Sequence, residues 1–129
     1  RRSHRTSAAI LGSIREAISR NPQNLNAHLY LGGSYLAVQQ PDDAIAQLEE
    51  VLKVNDQVSE AHVLLGSAYV ASGRLEDGVE ALQRAIALAP IRAQTHYQLA
   101  HVYQKLGMAE EAEKELELFR TLDAESRRD

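Results

Sequence analysis

Three histidines at one fixed interval are the strongest candidates for a metal-binding site in this sequence. His28, His62 and His96 are separated by 34 residues each time. Histidines bind zinc when their ring nitrogens reach one ion at about 2.0 to 2.1 Å, whereas packed helices lie about 8 to 10 Å apart. Equivalent positions on successive helices therefore do not converge on one ion. We predict instead that the rings pack between helices with a polar edge reaching water, and that the segment holds no metal and no cofactor.

The other reactive side chains do not form a catalytic constellation. The chain has no Cys, which removes a thiolate nucleophile and any zinc site of the cysteine type. Ser13, Ser34 and Ser67 fall inside helical patterns, without a His and an Asp at a usable spacing. No phosphate-binding loop, dinucleotide fingerprint, nucleophile elbow or zinc-protease motif is present. We therefore expect no enzyme activity from this segment.

The distribution of charge disfavours nucleic acid and lipid as partners. The net charge is −4, and the acids are concentrated in residues 21–129, while residues 1–20 carry an excess of Arg. Phosphate backbones and anionic membranes require a positive protein surface. No apolar run approaches the roughly 18 residues of a membrane span, and the start lacks a signal-peptide core. The sequence predicts no nucleic-acid partner and no membrane span in this segment, and it leaves the compartment open.

The 34-residue interval also relates many other residues, which identifies a repeat protein. Each period contains two bursts of apolar residues at the three-and-four spacing of an amphipathic helix. Pro41, Gly73 and Gly107 lie between the bursts, where Gly ends one helix and Pro suits the first turn of the next. The sequence therefore predicts an all-α fold of helix, tight turn and helix. The register is shared by Leu31, Leu65 and Leu99, by Tyr35, Tyr69 and Tyr103, and by Leu48, Leu82 and Leu116.

Small residues also recur in register. Gly inside a helix costs about 1 kcal/mol relative to Ala, so its placement at matched positions predicts close helix packing that a larger side chain would block. The small residues are Gly32, Gly66 and Ala100 in the first helix of each period, and Ala44, Gly78 and Ala112 in the second.

In this register the chain resembles the tetratricopeptide repeat, a 34-residue helix-turn-helix unit. The departures are His at the usual aromatic position, Asp56 and Ala124 where Pro is typical, and Gln39 where the later copies have Gly. The resemblance implies a right-handed superhelical solenoid of antiparallel helix pairs. The copy that matches best does so through His62, Leu65, Gly66, Tyr69, Leu82, Ala85 and Pro90.

The register divides the chain into consecutive units of one solenoid domain. Residues 7–22 align with residues 41–56 at the same interval, which predicts the second helix of an incomplete preceding unit and suggests a piece of a longer protein. The predicted units are a partial repeat at 1–24, repeats at 25–58, 59–92 and 93–126, and a tail at 127–129.

The end of the chain predicts an uncovered apolar face. The residues after Leu122 are too few for the polar capping helix that solenoids use. Self-association through the solenoid ends is therefore expected. The acidic stretch 109–120 is interpreted as a solvated outer face with helical charge pairs such as Glu117 with Arg120. The apolar residues predicted to face solvent or another molecule are Leu106, Leu118, Phe119 and Leu122.

The resemblance also implies where a partner binds. In arrays of this family the first helices line a concave groove, at the second, fifth, ninth, twelfth and thirteenth positions of each unit. Members that grip a C-terminal carboxylate carry Lys, Arg and Asn on this face, and arrays similar to sugar transferases carry Asn at each ninth position. Neither pattern is present. The implied groove residues are Asn26, Leu29, Gly33, Leu36 and Ala37; Glu60, Val63, Ser67, Val70 and Ala71; and Gln94, Tyr97, His101, Gln104 and Lys105.

The function implied by the resemblance is a protein-interaction scaffold that holds a peptide or helical segment in this groove. The apolar contacts are expected in the first two units and polar contacts in the third. Two alternatives remain open, which are a structural segment for self-association and a regulatory array attached to an enzyme domain outside this segment.

Overall fold

The computed structural model describes residues 9, 12–16 and 24–128, and this part of the chain contains helices and turns but no strand. None of its helices is long and apolar enough to cross a membrane. Residues 9 and 12–16 are helical. Six further helices follow, which are α1 (Leu25–Ala37), α2 (Pro41–Val54), α3 (Ser59–Ala71), α4 (Leu75–Leu88), α5 (Ala93–Lys105) and α6 (Ala109–Arg128).

Consecutive helices form pairs that stack along one direction. Helix α1 packs on α2, α3 on α4, and α5 on α6, and each pair also contacts the next through α2 with α3 and α4 with α5. The turns within the pairs are short, which makes the paired helices antiparallel neighbours. Helix α1 also contacts α3, so these first helices of successive pairs lie side by side. The prediction of an all-α solenoid of helix pairs is confirmed.

The apolar core is divided into two clusters, and each spans a junction between pairs. In the first cluster Leu48 of α2 joins Leu65 of α3. In the second cluster Leu82 of α4 joins Leu99 of α5. A single helix pair cannot bury its apolar face alone, so each junction supplies the partner surface.

Helices α3 and α4 approach each other closely where two glycines face. A Cβ atom on Gly66 would lie 2.8 Å from Cγ of Leu82, and a Cβ on Gly78 would lie 2.9 Å from Cγ2 of Val70 and 3.3 Å from the Gly66 carbonyl oxygen. These distances are shorter than ordinary van der Waals contact. The small residues predicted to allow close packing therefore do so at these two positions.

The turns that join the helices of a pair use one left-handed residue each. Gln39, Gly73 and Gly107 occupy the same register position and have φ values of 61°, 83° and 76°. Left-handed backbone is readily adopted by Gly, whereas in other residues the Cβ atom crowds the following carbonyl oxygen. Gln39, which stands where the later copies have Gly, is therefore a strained position in the first pair.

Replacing Gln39 with Gly is expected to raise the free energy of unfolding by about 0.5 to 1 kcal/mol, because relief of the left-handed strain exceeds the added entropy of the unfolded chain. Replacing Gly73 with Ala is expected to lower it by a similar amount. Urea unfolding followed by circular dichroism measures both changes, and a Gln39→Gly variant that is less stable than the wild type would contradict this account.

Only part of the predicted partial repeat at 1–24 falls within the described residues. Ile14 packs against the first core cluster. Arg15 donates a hydrogen bond of 2.7 Å to the Tyr35 hydroxyl, which connects this segment to α1. Residues 1–8, 10–11 and 17–23 of the predicted unit lie outside the described residues.

The last helix is longer than the sequence register indicates. Helix α6 has 20 residues, whereas α2 and α4 have 14 each. Pro90 follows the end of α4, but the residue in register with it is Ala124, which keeps its N–H and favours a helix. The helix therefore continues through Arg128, and the predicted tail at 127–129 begins as part of it. Residue 129 lies outside the described residues.

The outward face of α6 carries charge at positions where the earlier junctions are apolar. Val79 and Ile86 of α4 pack against the second core cluster, and the residues in register with them are Glu113 and Arg120. These two side chains are exposed and form an ion pair of 3.2 Å, so Arg120 pairs with Glu113 rather than with the predicted Glu117. Self-association through this face stays a prediction. Among its predicted apolar residues Leu118 is 46% exposed, and Leu106, Phe119 and Leu122 are partly buried.

Candidate functional site

The repeated histidines connect helices to loops inside the scaffold. His62 and His96 are 6% and 4% exposed. The Nε2 atom of His62 lies 3.0 Å from the Asp56 carbonyl oxygen, and that of His96 lies 2.9 Å from the Pro90 carbonyl oxygen. Each ring therefore ties the loop between two pairs to the helix that follows. The expectation that the polar edge reaches water is wrong for these nitrogens, because buried polar groups find partners within the protein.

The Nδ1 atoms of two of these rings contact the second helix of the same pair. His28 lies 2.9 Å from Oε1 of Gln47, and His96 lies 2.8 Å from Oε1 of Glu115. The rings are thus held separately in their own repeats. Residues 9, 12–16 and 24–128 include no group of three or more His, Cys, Asp or Glu side chains that is suited to a metal ion.

The repeated tyrosines differ in what they contact, since Tyr103 reaches the preceding pair and Tyr69 contacts the turn of its own pair. The Tyr103 hydroxyl accepts a hydrogen bond of 3.0 Å from Nε2 of Gln83, which lies on α4. Tyr69 contacts Arg74, whose guanidinium carbon lies 4.5 Å from the ring centre. Burial, and then the Glu49 carboxylate, raises the pKa of Tyr69 above its usual range. The repeated His and Tyr side chains described above therefore form contacts within and between the helix pairs.

Two cavities open along the first helices of the pairs, and we call them the first and the second cavity. The first has a volume of about 460 Å³ and is lined by Asn26, Leu29, Tyr30, Gly33, Ser34, Ala37, Glu60 and Leu64 from α1 and α3. The second has a volume of about 290 Å³ and is lined by Gly66, Ser67, Val70, Ala71, Leu82, Gln94, Tyr97, Gln98, His101 and Val102, mostly from α3 and α5.

The two cavities are the same feature at successive junctions. Gly33, Ala37, Glu60 and Leu64 in the first cavity are in register with Ser67, Ala71, Gln94 and Gln98 in the second. A row of equivalent hollows along stacked helices is the arrangement that an elongated ligand requires. We call the face of α1, α3 and α5 that contains both cavities the groove.

The structure brings most of the predicted groove residues to these cavities. Four of them line neither cavity. Leu36 packs against the first core cluster and Val63 is partly buried. Gln104 and Lys105 are exposed. Those that line the first cavity are Asn26, Leu29, Gly33, Ala37 and Glu60, and those that line the second are Ser67, Val70, Ala71, Gln94, Tyr97 and His101.

Sequence reasoning missed the sixth position of each repeat. Tyr30 and Leu64 line the first cavity, and Gln98 lines the second. The resemblance assigned the groove to five other positions, so this one received no attention. A signal was present, because the three residues differ in size and polarity at a single register position.

Two neighbouring glycines of α1 have different surroundings. A Cβ atom on Gly32 would lie 2.9 Å from Cγ and from Cδ2 of Leu48, whereas a Cβ on Gly33 would meet nothing within 4 Å. Packing therefore accounts for Gly32 and does not account for Gly33. The open space above Gly33 belongs to the first cavity.

The end of the groove at α5 contains an aromatic contact. The ring of Tyr97 lies 5.1 Å from that of Phe119 on α6, at an interplanar angle of 52°. Tyr97 is nevertheless 46% exposed. Phe119 thus supports one side of the ring, and the rest of the ring borders the second cavity.

Comparison with protein families identifies the repeat. Two family models, both described as tetratricopeptide repeat, match residues 34–93 and residues 69–127. Together they cover residues 34–127 without a gap. A search of curated protein sequences gave no match.

Comparison with solved structures gives the same fold. A crystal structure of MamA is 28% identical, has a TM-score of 0.85, and covers 93% of this chain and 72% of its own. A second crystal structure of the MamA protein is 28% identical with a TM-score of 0.84, at coverages of 95% and 68%. MamA from Desulfovibrio magneticus RS-1, from residue 41 to its end, has a TM-score of 0.89 at 23% identity, with coverages of 95% and 70%. That last likeness concerns the fold alone.

Proposed function

Because the chain belongs to the tetratricopeptide repeat family, we propose that it is a non-catalytic protein-interaction module with repeats at 25–58, 59–92 and 93–126. Its partner is a peptide or helical segment of another protein. The partner lies along the groove and contacts both cavities, of which the second is mainly apolar and the first combines apolar surface with amide, hydroxyl and carboxylate groups. Such a mixture suits recognition of side chains from an elongated protein segment.

The observation that carries this proposal is Gly33. A glycine in the interior of a helix costs about 1 kcal/mol relative to Ala, and no neighbouring atom of the protein requires it at this position. A glycine at such a position permits close approach of another backbone or ligand. Because Gly33 borders the first cavity, a bound segment would pass directly over α1 there.

The end face at α6 supports association less well than the groove does. Glu113 and Arg120 replace the apolar residues of the earlier junctions and are exposed. Docking another apolar helix there would remove two charged side chains from water, which is unfavourable unless the partner pairs with them. We therefore propose the groove as the binding surface.

The proposal is tested with peptides selected from a displayed random library on the wild-type protein. Their affinity is then measured on a Gly33→Gln, Ser67→Gln double variant, which places an uncharged side chain at the ninth position of two repeats. Leu36 and Val70 are avoided because both pack against the core, so replacing them would alter stability. The expected result is a loss of affinity of at least about tenfold.

The matched control is an Ala46→Gln, Ala87→Gln double variant. Both residues are exposed on the second helices α2 and α4, and the change in size and charge is comparable. Affinity is expected to stay within about twofold of the wild type. Equal binding by the wild type and the groove variant, or failure to select any peptide, would contradict the proposal.

A further inference from the structure

The middle one of the three repeated histidines lacks the contact that the other two make with the second helix of their pair. The first and the third ring reach Gln47 and Glu115 through Nδ1, and the residue in register with these two is Ala81. The methyl group of Ala81 offers no hydrogen bond. Within the described part of the chain, His62 therefore has one hydrogen-bond partner, the Asp56 carbonyl oxygen at Nε2.

The ring of His62 is held in the same way as that of His96. In both, Nε2 contacts a loop carbonyl oxygen, at 3.0 Å and 2.9 Å, and the two carbonyls are in register. A carbonyl only accepts, so Nε2 carries the hydrogen and Nδ1 of the neutral ring has a lone pair. Because Nδ1 of His96 reaches Glu115, Nδ1 of His62 is directed to the equivalent space, which Ala81 leaves open.

This open space belongs to a third cavity, which has a volume of about 180 Å³ and is bordered by both His62 and Ala81. Leu52 and Leu65 add apolar surface to it. None of its lining residues borders the first or the second cavity, so it is separate from the groove. His62 is only 6% exposed, and buried polar atoms normally have a partner. The lone pair of Nδ1 is therefore available to a donor that enters the third cavity.

Two carboxylates border the third cavity and disfavour an anion as its occupant. Asp77 and Glu80 line it, and Arg84 contributes one opposing charge. Burial, and then carboxylates that include those of Asp77 and Glu80, raise the pKa of Tyr69, although Arg74 acts in the opposite direction. The ring of Tyr69 also lines the third cavity. The surroundings therefore favour an occupant that carries positive charge and hydrogen-bond donors.

We propose that the third cavity binds a primary ammonium group on an alkyl chain, which donates one hydrogen bond to Nδ1 of His62 and another to the Glu80 carboxylate. An ammonium has three donors and no acceptor, so none of its atoms is left unsatisfied beside carboxylates. The alkyl chain lies against Leu52 and Leu65. A lysine side chain of another protein and a free alkylamine share this chemistry. The site lies outside the groove, so the inference goes beyond the proposed function.

The test uses three probes, which are N-acetyl-lysine amide, butylamine and N-acetyl-norleucine amide, a lysine analogue without the ammonium. Titration of protein that contains isotope-labelled histidine is followed by nuclear magnetic resonance of the ring nitrogens at about pH 8, where an unperturbed imidazole is neutral and an alkylamine is charged. Both amines are expected to shift Nδ1 of His62, while the rings of His28 and His96 stay unchanged as internal controls. They should bind at least about tenfold more tightly than the norleucine probe. Tighter binding of the lysine probe than of butylamine identifies a protein side chain as the source, and the reverse identifies a free amine.

The Ala81→Gln variant copies the residue of the first repeat and gives Nδ1 a partner from within the chain. It is expected to weaken amine binding at least about tenfold. Glu80→Gln is expected to weaken it about twofold to fivefold, and Arg84→Gln to strengthen it by a similar factor, because a like charge is removed. Glu76→Gln is the matched control, since Glu76 is exposed on α4 and lines none of the three cavities; it should leave the affinity unchanged.

Three results would overturn the proposal, which are equal binding of the lysine and norleucine probes, bound amine without a change at Nδ1 of His62, and full affinity in a folded Ala81→Gln variant. Weaker amine binding by Arg84→Gln would also contradict it. Failure of both amines to bind would leave water as the partner of Nδ1 and reject the site. The first two results come from the wild-type protein and do not depend on the stability of any variant. None of these outcomes involves the groove, so the proposed function is tested separately.

Discussion

The Leu82→Ala variant is expected to lose about 2 to 5 kcal/mol of unfolding free energy, the range measured for large-to-small changes in well-packed cores. Leu82 is 1% exposed and joins α4 to the apolar residues of α5 in the second core cluster. Its side chain also lies against Gly66, whose Cβ position is 2.8 Å from Cγ of Leu82. Removing it leaves a cavity where two junction-forming helices meet, and urea unfolding measures the loss.

Leu116 provides the matched control for this prediction. It occupies the same register position in the last repeat but is only partly buried, because α6 has a solvent-facing side. Leu116→Ala is therefore expected to lose clearly less stability than Leu82→Ala. Equal losses would indicate that the core is not concentrated at the junctions between helix pairs.

Alanine substitutions at Gly32 and Gly33 are expected to shift stability in opposite directions. Both positions lie inside α1 and gain about 1 kcal/mol of helix propensity from the change. At Gly33 the added methyl meets no atom within 4 Å, so the gain remains. At Gly32 it lies 2.9 Å from Leu48, which is 0% exposed and cannot move away. Overpacking of this kind costs about 1 to 3 kcal/mol.

The difference between the two variants is the quantity to measure, because helix propensity cancels in it. Thermal and urea unfolding should place Gly33→Ala above Gly32→Ala by about 1 to 3 kcal/mol. Gly33→Ala should also bind selected peptides more weakly while being more stable, because a methyl group fills space that the partner approaches. Equal stability of the two variants would show that α1 and α2 are not in the close contact described.

Most of the fold could be predicted from the sequence because the same packing residues recur in each repeat. The register of Leu31, Leu65 and Leu99 predicted the inward face of the first helices, and the family prediction is confirmed by the two family matches. The added length of α6 was not foreseen. Ala124 indicated it, because it stands where the earlier repeat has a helix-ending Pro. The prediction followed the 34-residue period and did not take the missing Pro into account.

The groove was only partly readable, because a cavity is formed between helices and not by a position in one helix. The family resemblance located Gly33 and Ser67 but not Gln98, which lines the second cavity. The prediction that the polar edge of the histidine rings reaches water was wrong for a related reason. Their spacing predicted burial between helices, while the hydrogen bonds of His62 and His96 to loop carbonyls depend on how each loop folds back.

The most direct test of the groove is a crystal structure of the protein with a selected peptide. The account predicts peptide electron density across α1, α3 and α5, with backbone over Gly33 and a side chain in the second cavity. A peptide bound instead to the second helices α2 and α4, or to the end face of α6, would contradict the assignment of function to the groove.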